Sequence, residues 1–180
     1  FITNRERFSQ QRNIGPIICG YPRQSGNGWP RKRLCQSEGE RMFKNRCDIR
    51  KMCKEDISCV QEIEHSLFSR PWSQQAFLQA MEQDTLYIVA LEDNRVAGYC
   101  GMYCSFEEGE ITNVAVATEK QNLGIGRTMM EELLRQARER GITHLFLEVR
   151  VSNEKAIRLY RSLGFENCGI RKDFYEMPRE

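Results

Sequence analysis

The chain has 180 residues, of which 40% are hydrophobic and 29% charged, and its formal net charge is only +2. This composition is that of a globular protein with enough length for one domain and its core. Apolar runs are short, as in "YIVAL" from Tyr87 to Leu91, so the sequence contains no transmembrane helix and no signal-peptide core. We therefore expect a cytoplasmic protein that does not act at a membrane.

The eight cysteines form no Cys-x-x-Cys pair. Cys47, Cys53 and Cys59 are six positions apart, and Cys100 and Cys104 are four apart. Zinc sites usually bring their ligands in close pairs, often with His, and the two histidines complete no such pattern. The sequence therefore predicts reduced thiols and no metal site.

Residues 1–41 differ in composition from the rest of the chain. They carry eight basic and three acidic residues, net +5, whereas the remaining 139 carry nineteen and twenty-two, net −3. They are rich in Gly and Pro and lack periodicity, which predicts a disordered or extraneous tail before a domain over 42–180. Their "PRKRLC" stretch could instead be a nucleic-acid or targeting patch, or part of a transit peptide. We expect no direct contact with nucleic acid.

From Met42 onward the pattern is regular. The segment "EDISCVQEIEHSLF" predicts a helix whose inner face carries Ile57, Val60, Ile63, Ser66 and Leu67. Ser73 is placed to cap a second helix, "QQAFLQAM". The segments "TLYIVAL" and "RVAGYCGMYC" predict a hairpin, "EEGE" a further turn, and "ITNVAVA" a third strand.

The remainder alternates helices and strands. An amphipathic helix is predicted from Ile125, ended by Gly141 at its C-terminus. "THLFLEVRV" reads as a strand, "NEKAIRLYRSL" as a helix ending at Gly164, and "FENCGIRKDFYEM" as the beginning of a last strand. A strand–helix–strand unit requires partly parallel pairing, so the fold class is α/β, or α+β with a mixed sheet.

Two glycines stand at the start of the helix predicted from Ile125, in "NLGIG". Glycine is a poor helix former, by about 1 kcal/mol relative to Ala. The unpaired N–H groups of a helix N-terminus attract anions, and glycines let a pyrophosphate approach the backbone. No Lys-Ser/Thr follows as in a Walker A loop, and Met129 stands where a dinucleotide fingerprint has its third glycine. A tight strand-to-helix turn is the alternative explanation.

The segment "QNLGIG" from Gln121 to Gly126, directly after "ITNVAVATEK", resembles the Q/R-x-x-G-x-G/A signature of the GNAT N-acetyltransferases. "LEVRVSNEKAIRLYRSLGF" and "FSRPWS" are similar to one branch of them, the ribosomal-protein-alanine N-acetyltransferases (RimI). The resemblance covers about residues 48–180, with the motifs in the right order. It implies the GNAT fold, a mixed central sheet with splayed parallel strands flanked by helices, and acetyl-CoA as acetyl donor.

The resemblance also implies roles for individual residues. The backbone of Val114, Ala115 and Val116 would pair with the pantetheine arm of acetyl-CoA. The loop that would wrap the pyrophosphate comprises Asn122, Leu123, Gly124, Ile125, Gly126 and Arg127. Glu148 matches the general base of the family, Tyr160 its general acid, and Asn153 an Asn near the cofactor.

Each of these residues also has a structural explanation. Glu148 could form an ion pair with Arg150, Tyr160 could be a core residue, and Asn153 could be an N-cap. If Glu148 is the only base, an α-amino group is a better acceptor than a lysine side chain. The pKa of the α-amine is near 8 and that of lysine roughly 10.4, so the α-amine loses its proton more easily.

The family match suggests that the acceptor is a protein or peptide N-terminus, specifically the N-terminal alanine of a small-subunit ribosomal protein. The alternatives are an enzyme that acetylates lysine side chains or a small amine, and a non-enzymatic acyl-CoA sensor. We expect a monomer or weak dimer. The acidic "FEEGE", with Glu107, Glu108 and Glu110, could attract a basic peptide or be a solvated turn. Family members carry a further strand after the point where "FYEMPRE" ends, so the domain is expected to lack its last strand and to leave a sheet edge open.

Overall fold

The structure, a computed structural model, describes residues 17–20 and 47–169. Its strands are β1 (Ile17–Gly20), β2 (Asp48–Lys51), β3 (Thr85–Glu92), β4 (Arg95–Ser105), β5 (Glu108–Val116), β6 (His144–Glu148) and β7 (Glu166–Gly169). Its α-helices are α1 (Ile57–Leu67), α2 (Gln74–Met81), α3 (Ile125–Glu139) and α4 (Glu154–Ser162). Two 3-10 turns, Lys54–Asp56 and Thr118–Lys120, precede α1 and α3.

The described strands form one mixed sheet in the order β2-β3-β4-β5-β6-β1-β7. Strands β2 to β5 pair antiparallel in sequence, and β5 pairs with β6 in parallel. The crossover between β5 and β6 contains α3, as the strand–helix–strand pattern requires. The predicted α/β fold with a mixed sheet and a parallel central pair is confirmed.

Helices cover both faces of the sheet, and each face has its own apolar core. Helix α3 packs on one face with a stripe that includes Met129, Met130 and Leu133, all fully buried. Helices α1 and α2 pack on the other face, where Ile57 and Phe77 are fully buried. The helical spacing of apolar residues in the sequence gives each helix the single buried stripe that a two-sided covering needs.

Helix boundaries follow the capping signals in the sequence. Ser73 caps α2, since its Oγ accepts a hydrogen bond from the N–H of Ala76 at 3.1 Å. After α3 and α4 the chain turns at Gly141 and Gly164, whose φ angles are +76° and +99°. Such left-handed residues after a helix are usually glycine, so these two predicted stops are confirmed.

Two strand boundaries were predicted wrongly. Strand β5 begins at Glu108 rather than Ile111, because the β4–β5 turn is confined to Phe106 and Glu107 and the rest of "EEGE" pairs in the sheet. Strand β6 ends at Glu148 rather than Val151, because the chain turns there and the N–H of Asn153 donates to the carbonyl of Arg150. Val151 is consequently 44% exposed.

Strand β1 was not predicted, and it belongs to the segment interpreted as a tail. Its backbone pairs antiparallel with β6 on one side and with β7 on the other. Both sides of β6 are therefore paired in the described structure. The other residues of 1–41, and any strand following Gly169, lie outside the described residues, so the predictions of a tail and of a missing last strand stay predictions. None of the helices described is long and apolar enough to span a bilayer.

Candidate active site

The central feature is the separation of β5 from β6. Their parallel pairing runs from Glu108 opposite His144 to Ile111 opposite Leu147, which is the last pair in the described structure. Strand β5 continues to Val116, still paired with β4 on its other side. The backbone of Val114, Ala115 and Val116 therefore borders a gap rather than a neighbouring strand. A linear molecule with amide groups can occupy such a gap by pairing with β5 as a strand would.

The loop after β5 leads directly into α3. Gly124 is the N-cap of the helix in a left-handed conformation, with φ +88°, and no side chain caps the helix. Asn122 also has a positive φ, of 63°. The first N–H groups of α3 have no carbonyl partner in the preceding turn, and the helix dipole adds partial positive charge. This end of α3 is therefore suited to a phosphate group.

The two glycines of this loop have different roles in the structure. Gly124 is explained by its φ angle, which L-residues rarely adopt. Gly126 has an ordinary helical conformation, and a Cβ there would lie 3.7 Å from Leu159 and from Val116, which is normal van der Waals contact. The backbone therefore demands glycine at the first position alone.

Polar side chains around the loop hold it in place. The Nε2 of Gln121 donates to the carbonyl oxygen of Val116 at 3.2 Å, tying the loop to the end of β5. The guanidinium of Arg127 donates to the Oγ of Ser162 at 2.5 Å and to Oε1 of Glu131 at 3.4 Å. Arg127 thereby links α3 to α4 at the surface. Neither the hydrogen bond from Gln121 to the end of β5 nor the one from Arg127 to Ser162 was predicted from the sequence.

These features fit acetyl-CoA. The edge of β5 that is not paired with β6 suits the amides of the pantetheine arm, and the uncapped start of α3 suits the pyrophosphate. Both lie at the carboxyl ends of two parallel strands, where α/β sheets bind ligands. A Cβ added at Gly126 would contact both Val116 and Leu159. The start of α3, the end of β5 and helix α4 therefore meet at this position.

Glu148 is the last residue of β6, one position past the last pair with β5. It is half-buried. Leu145 and Leu147 point into the core under α3, so the alternation of a strand directs Glu148 to the opposite face, which α1 and α2 cover in part. The carboxylate therefore stands at the mouth of the gap, on the α1–α2 face.

Tyr160 lies on α4 in the core cluster that α3 also lines and is only 7% exposed, as its interpretation as a core residue predicted. Its ring packs against Phe165 with centroids 5.9 Å apart. Burial raises the pKa of the Tyr160 phenol, and the nearby Cys100 thiol adds to the rise. The phenol is therefore protonated at neutral pH, the state that a proton donor needs.

Asn153 is the N-cap of α4, as one of its two interpretations predicted. Its Oδ1 accepts a hydrogen bond from the N–H of Ala156 at 3.1 Å. The side chain is exposed, and the turn that carries it follows β6 directly. A contact between Asn153 and acetyl-CoA remains a prediction.

The acidic stretch at the β4–β5 turn lies far from this gap. Glu107 and Glu108 are at the amino end of β5, and Val114 lies six positions after Glu108. At roughly 3.3 Å per residue that is about 20 Å. We therefore do not include these two side chains in the candidate site.

Comparisons with known proteins agree with this geometry. Residues 50–165 match the acetyltransferase (GNAT) family. Over 135 residues the chain is 36% identical to a Bacillus subtilis relative, an alignment that covers 74% of this chain and 89% of the relative. The [ribosomal protein bS18]-alanine N-acetyltransferase of Salmonella typhimurium is 34% identical over 120 residues, covering 67% of this chain and 81% of that protein.

The crystal structure of the ribosomal-protein-S18-alanine N-acetyltransferase from Escherichia coli superposes with a TM-score of 0.68 at 31% identity. That match covers 72% of this chain and 83% of the other. The family match includes both separated strands, the loop after β5 and helix α4. The chain therefore belongs to the GNAT acetyltransferases and is an acetyl-CoA-dependent N-acetyltransferase.

Proposed function

We propose that this protein acetylates the N-terminal α-amino group of a protein, with Glu148 as general base and Tyr160 as general acid. The observation that carries the proposal is the position of Glu148, a half-buried carboxylate one residue beyond the point where β5 and β6 separate. The acceptor we infer is the N-terminal alanine of ribosomal protein bS18, because similar proteins are named for that substrate.

Acetyl-CoA, when bound, supplies the acetyl group as an activated thioester. Backbone groups of Val114, Ala115 and Val116 orient its pantetheine arm in the gap beside β5. The pyrophosphate is held by the segment Asn122, Leu123, Gly124, Ile125, Gly126 and Arg127, through N–H groups at the start of α3. Asn153 borders the same gap from the start of α4 while its Oδ1 caps that helix.

Glu148 prepares the acceptor. A protein α-amine has a pKa near 8, so at neutral pH it is mostly an ammonium with no lone pair for attack. The carboxylate of Glu148 accepts that proton, directly or through one water molecule. Each pKa unit is worth about 1.36 kcal/mol, so neutralising a lysine ammonium with its pKa of roughly 10.4 costs some 3 kcal/mol more. A single carboxylate therefore favours the α-amine.

Tyr160 serves the leaving group. With acetyl-CoA bound, the amine nitrogen would form its bond to the acetyl carbon as the carbon–sulfur bond breaks. The Tyr160 phenol would give its proton to the departing sulfur, and the proton lost from the nitrogen would restore the phenol. Burial raises the pKa of Tyr160 and so makes the phenol a weaker acid than an exposed tyrosine, and its proton transfer depends on the negative charge that develops on the sulfur. The ring contact with Phe165 fixes the aromatic ring on α4.

We further propose that residues 42–180, together with strand β1, which pairs with β6 and β7, form the catalytic domain and that it acts as a monomer or weak dimer. A ribosomal acceptor implies action in the cytoplasm. No side chain of the candidate site requires contact with nucleic acid.

The choice of amine is tested with two basic peptides and labelled acetyl-CoA. One peptide has a free N-terminal Ala and no Lys, and the other has a blocked N-terminus and internal Lys. We expect label on the first peptide alone. Transfer to the second peptide alone would replace the α-amine with lysine, and binding of acetyl-CoA without any transfer would contradict the proposed function.

A further inference from the structure

Helix α1 carries a carboxylate inside the protein. Glu64 is 2% exposed and lies among apolar residues of α1 that include Val60 and Ile63. Burial raises the pKa of Glu64. A buried acid is costly, and an apolar residue of similar size would fill the same space without that cost. Glu64 is therefore poorly explained by packing alone, and its hydrogen bonds indicate what it does.

The two oxygens of Glu64 bind two different parts of the chain. Oε2 accepts the backbone N–H of Trp72 at 2.8 Å, in the loop between α1 and α2. Oε1 accepts the hydroxyl of Tyr99, a fully buried residue of β4. One side chain thus joins a helix, a loop and the central sheet, and both donors are removed from water.

The loop held in this way is residues 68–73, between α1 and α2. Trp72 anchors it, since the indole is 6% exposed and packs on Phe77 with ring centroids 5.2 Å apart. Residues before it are open to solvent, with Phe68 38% exposed and Ser69 and Arg70 also exposed. The loop therefore has a fixed end and an exposed end.

Loop 68–73 lies on the face of the sheet that α1 and α2 cover, and the gap between β5 and β6 is open to that face. Tyr99 is the register partner of Ala115 in β5 and lies in the core under α1 and α2 with it. Glu148 points to the same face, by the alternation of β6. Trp72, the fixed end of loop 68–73, belongs to the same core cluster as Tyr99 and Ala115, so this end of the loop lies on the face from which an acceptor would reach Glu148.

We infer that Glu64 is a positioning residue, which holds loop 68–73 against the sheet so that the loop forms one wall of the acceptor cleft. The inference rests on the proposed function for the identity of the acceptor, and it assigns Glu64 no contact with acetyl-CoA. Loss of both hydrogen bonds frees the loop, and an acceptor must then order it on binding.

A set of variants separates this role from general stability. Glu64→Leu removes both hydrogen bonds and keeps an apolar side chain in the core. Glu62→Leu on the exposed side of the same helix is the matched control. Tyr99→Phe removes one donor and leaves the bond to Trp72, so it serves as a milder variant should Glu64→Leu fail to fold.

Glu64→Gln tests for rescue. Its Oε1 can still accept from Trp72, and its Nε2 can donate to the Tyr99 hydroxyl. Tyr99 can then turn its own proton toward Oδ1 of Asn113, a buried oxygen without a hydrogen-bond partner among the described residues, after a half-turn of that amide. We therefore expect Gln to preserve the loop.

Steady-state kinetics with an Ala-terminated peptide measure the effect. We expect Glu64→Leu to raise the acceptor KM about tenfold, with kcat and the Kd of acetyl-CoA within about twofold of wild type. Tyr99→Phe should raise the acceptor KM less, and Glu64→Gln and Glu62→Leu should leave it within about threefold. An unchanged acceptor KM in Glu64→Leu, with wild type active, would overturn the inference and leave the proposed function intact.

Hydrogen exchange provides a readout that does not depend on the acceptor. In the acetyl-CoA complex, amides of residues 68–73 should exchange at least tenfold faster in Glu64→Leu than in wild type, with α3 unchanged. If wild type proves inactive on every peptide, the proposed function fails while the exchange result still decides whether Glu64 holds the loop. Equal exchange in the two proteins would refute the positioning role.

Discussion

Gly124→Ala and Gly126→Ala, at the two glycines of the loop before α3, should change the stability of the protein in opposite directions. Gly124 has φ +88° with open space around it, whereas Gly126 is helical and has room for a methyl group at 3.7 Å from its neighbours. Alanine at 124 must adopt a left-handed conformation, which costs roughly 1–2 kcal/mol, partly offset by a less flexible unfolded chain. Alanine at 126 gains helix propensity of about 0.5–1 kcal/mol.

These values predict a difference in melting temperature. For a chain of this size 1 kcal/mol corresponds to about 2–4 °C, so Gly124→Ala should melt a few degrees below wild type and Gly126→Ala slightly above it. Relief of strain at 124 also turns the N–H groups at the start of α3 away from their present direction. We expect the Kd of acetyl-CoA, measured by calorimetry, to rise about tenfold in Gly124→Ala and to stay within twofold in Gly126→Ala.

Gly141→Ala is the matched control, because Gly141 has φ +76° and equally open space but stands at the other end of α3. It should lose as much stability as Gly124→Ala and bind acetyl-CoA normally. Tighter or unchanged binding by Gly124→Ala would refute the assignment of this helix start to the pyrophosphate. Weaker binding by Gly126→Ala would show that the second glycine also meets the ligand.

Four further variants test other parts of the structure. Tyr160→Phe should lower kcat about ten- to a hundredfold without changing the Kd of acetyl-CoA, measured in parallel; an unchanged kcat would remove Tyr160 from the mechanism. Arg50 forms two hydrogen bonds to Asp56 and lowers the pKa of that carboxyl to about 2. The stability gained from a lowered pKa is complete above about pH 4 and is lost as the pH falls through about 2, so Asp56→Asn should cost about 1–2 kcal/mol at pH 7 in urea titrations and only a small part of that at pH 2. Ser73→Ala should cost about 1 kcal/mol in the same titrations, and a value near zero would mean that the cap on α2 is not needed. A chain beginning at Met42 loses β1 and should melt several degrees lower; an unchanged melting temperature would mean that residues 1–41 are separate from the fold.

The long elements could be predicted because their information is local. Helix α3 has an apolar stripe over fifteen residues and a glycine after it, and these fixed its face and its end. Ser73 and Asn153 precede helices as polar caps do, and both accept the expected hydrogen bond. For these elements a single stretch of sequence contains both the cause and the signal.

The errors arose where partners are distant in sequence. "VRV" continues the alternation of β6, yet the strand ends at Glu148 because pairing with β5 has stopped and the chain turns. Strand β1 has four residues, too few for a period to be detected, and its partners lie more than 120 positions away. Pairing of this kind is a property of the sheet rather than of the segment.

Glu64 illustrates the same limit at the level of a single side chain. It lies four positions after Val60, within the apolar stripe of α1, which was a detectable anomaly. Its explanation requires Tyr99, 35 residues further along the chain. The roles of the site residues are predictions from family motifs, and the structure adds that β5 continues beyond its last pair with β6.

The most direct test of the central claim is the activity of Glu148→Gln, an isosteric change that removes the carboxylate. With an Ala-terminated peptide at pH 7 we predict a loss of kcat of about a hundredfold or more, and a Kd for acetyl-CoA within twofold of wild type. Glu139→Gln, at the exposed end of α3, should behave as wild type. A Glu148→Gln enzyme that retains kcat within a few-fold of wild type would contradict the assignment of the base, and with it the proposed mechanism.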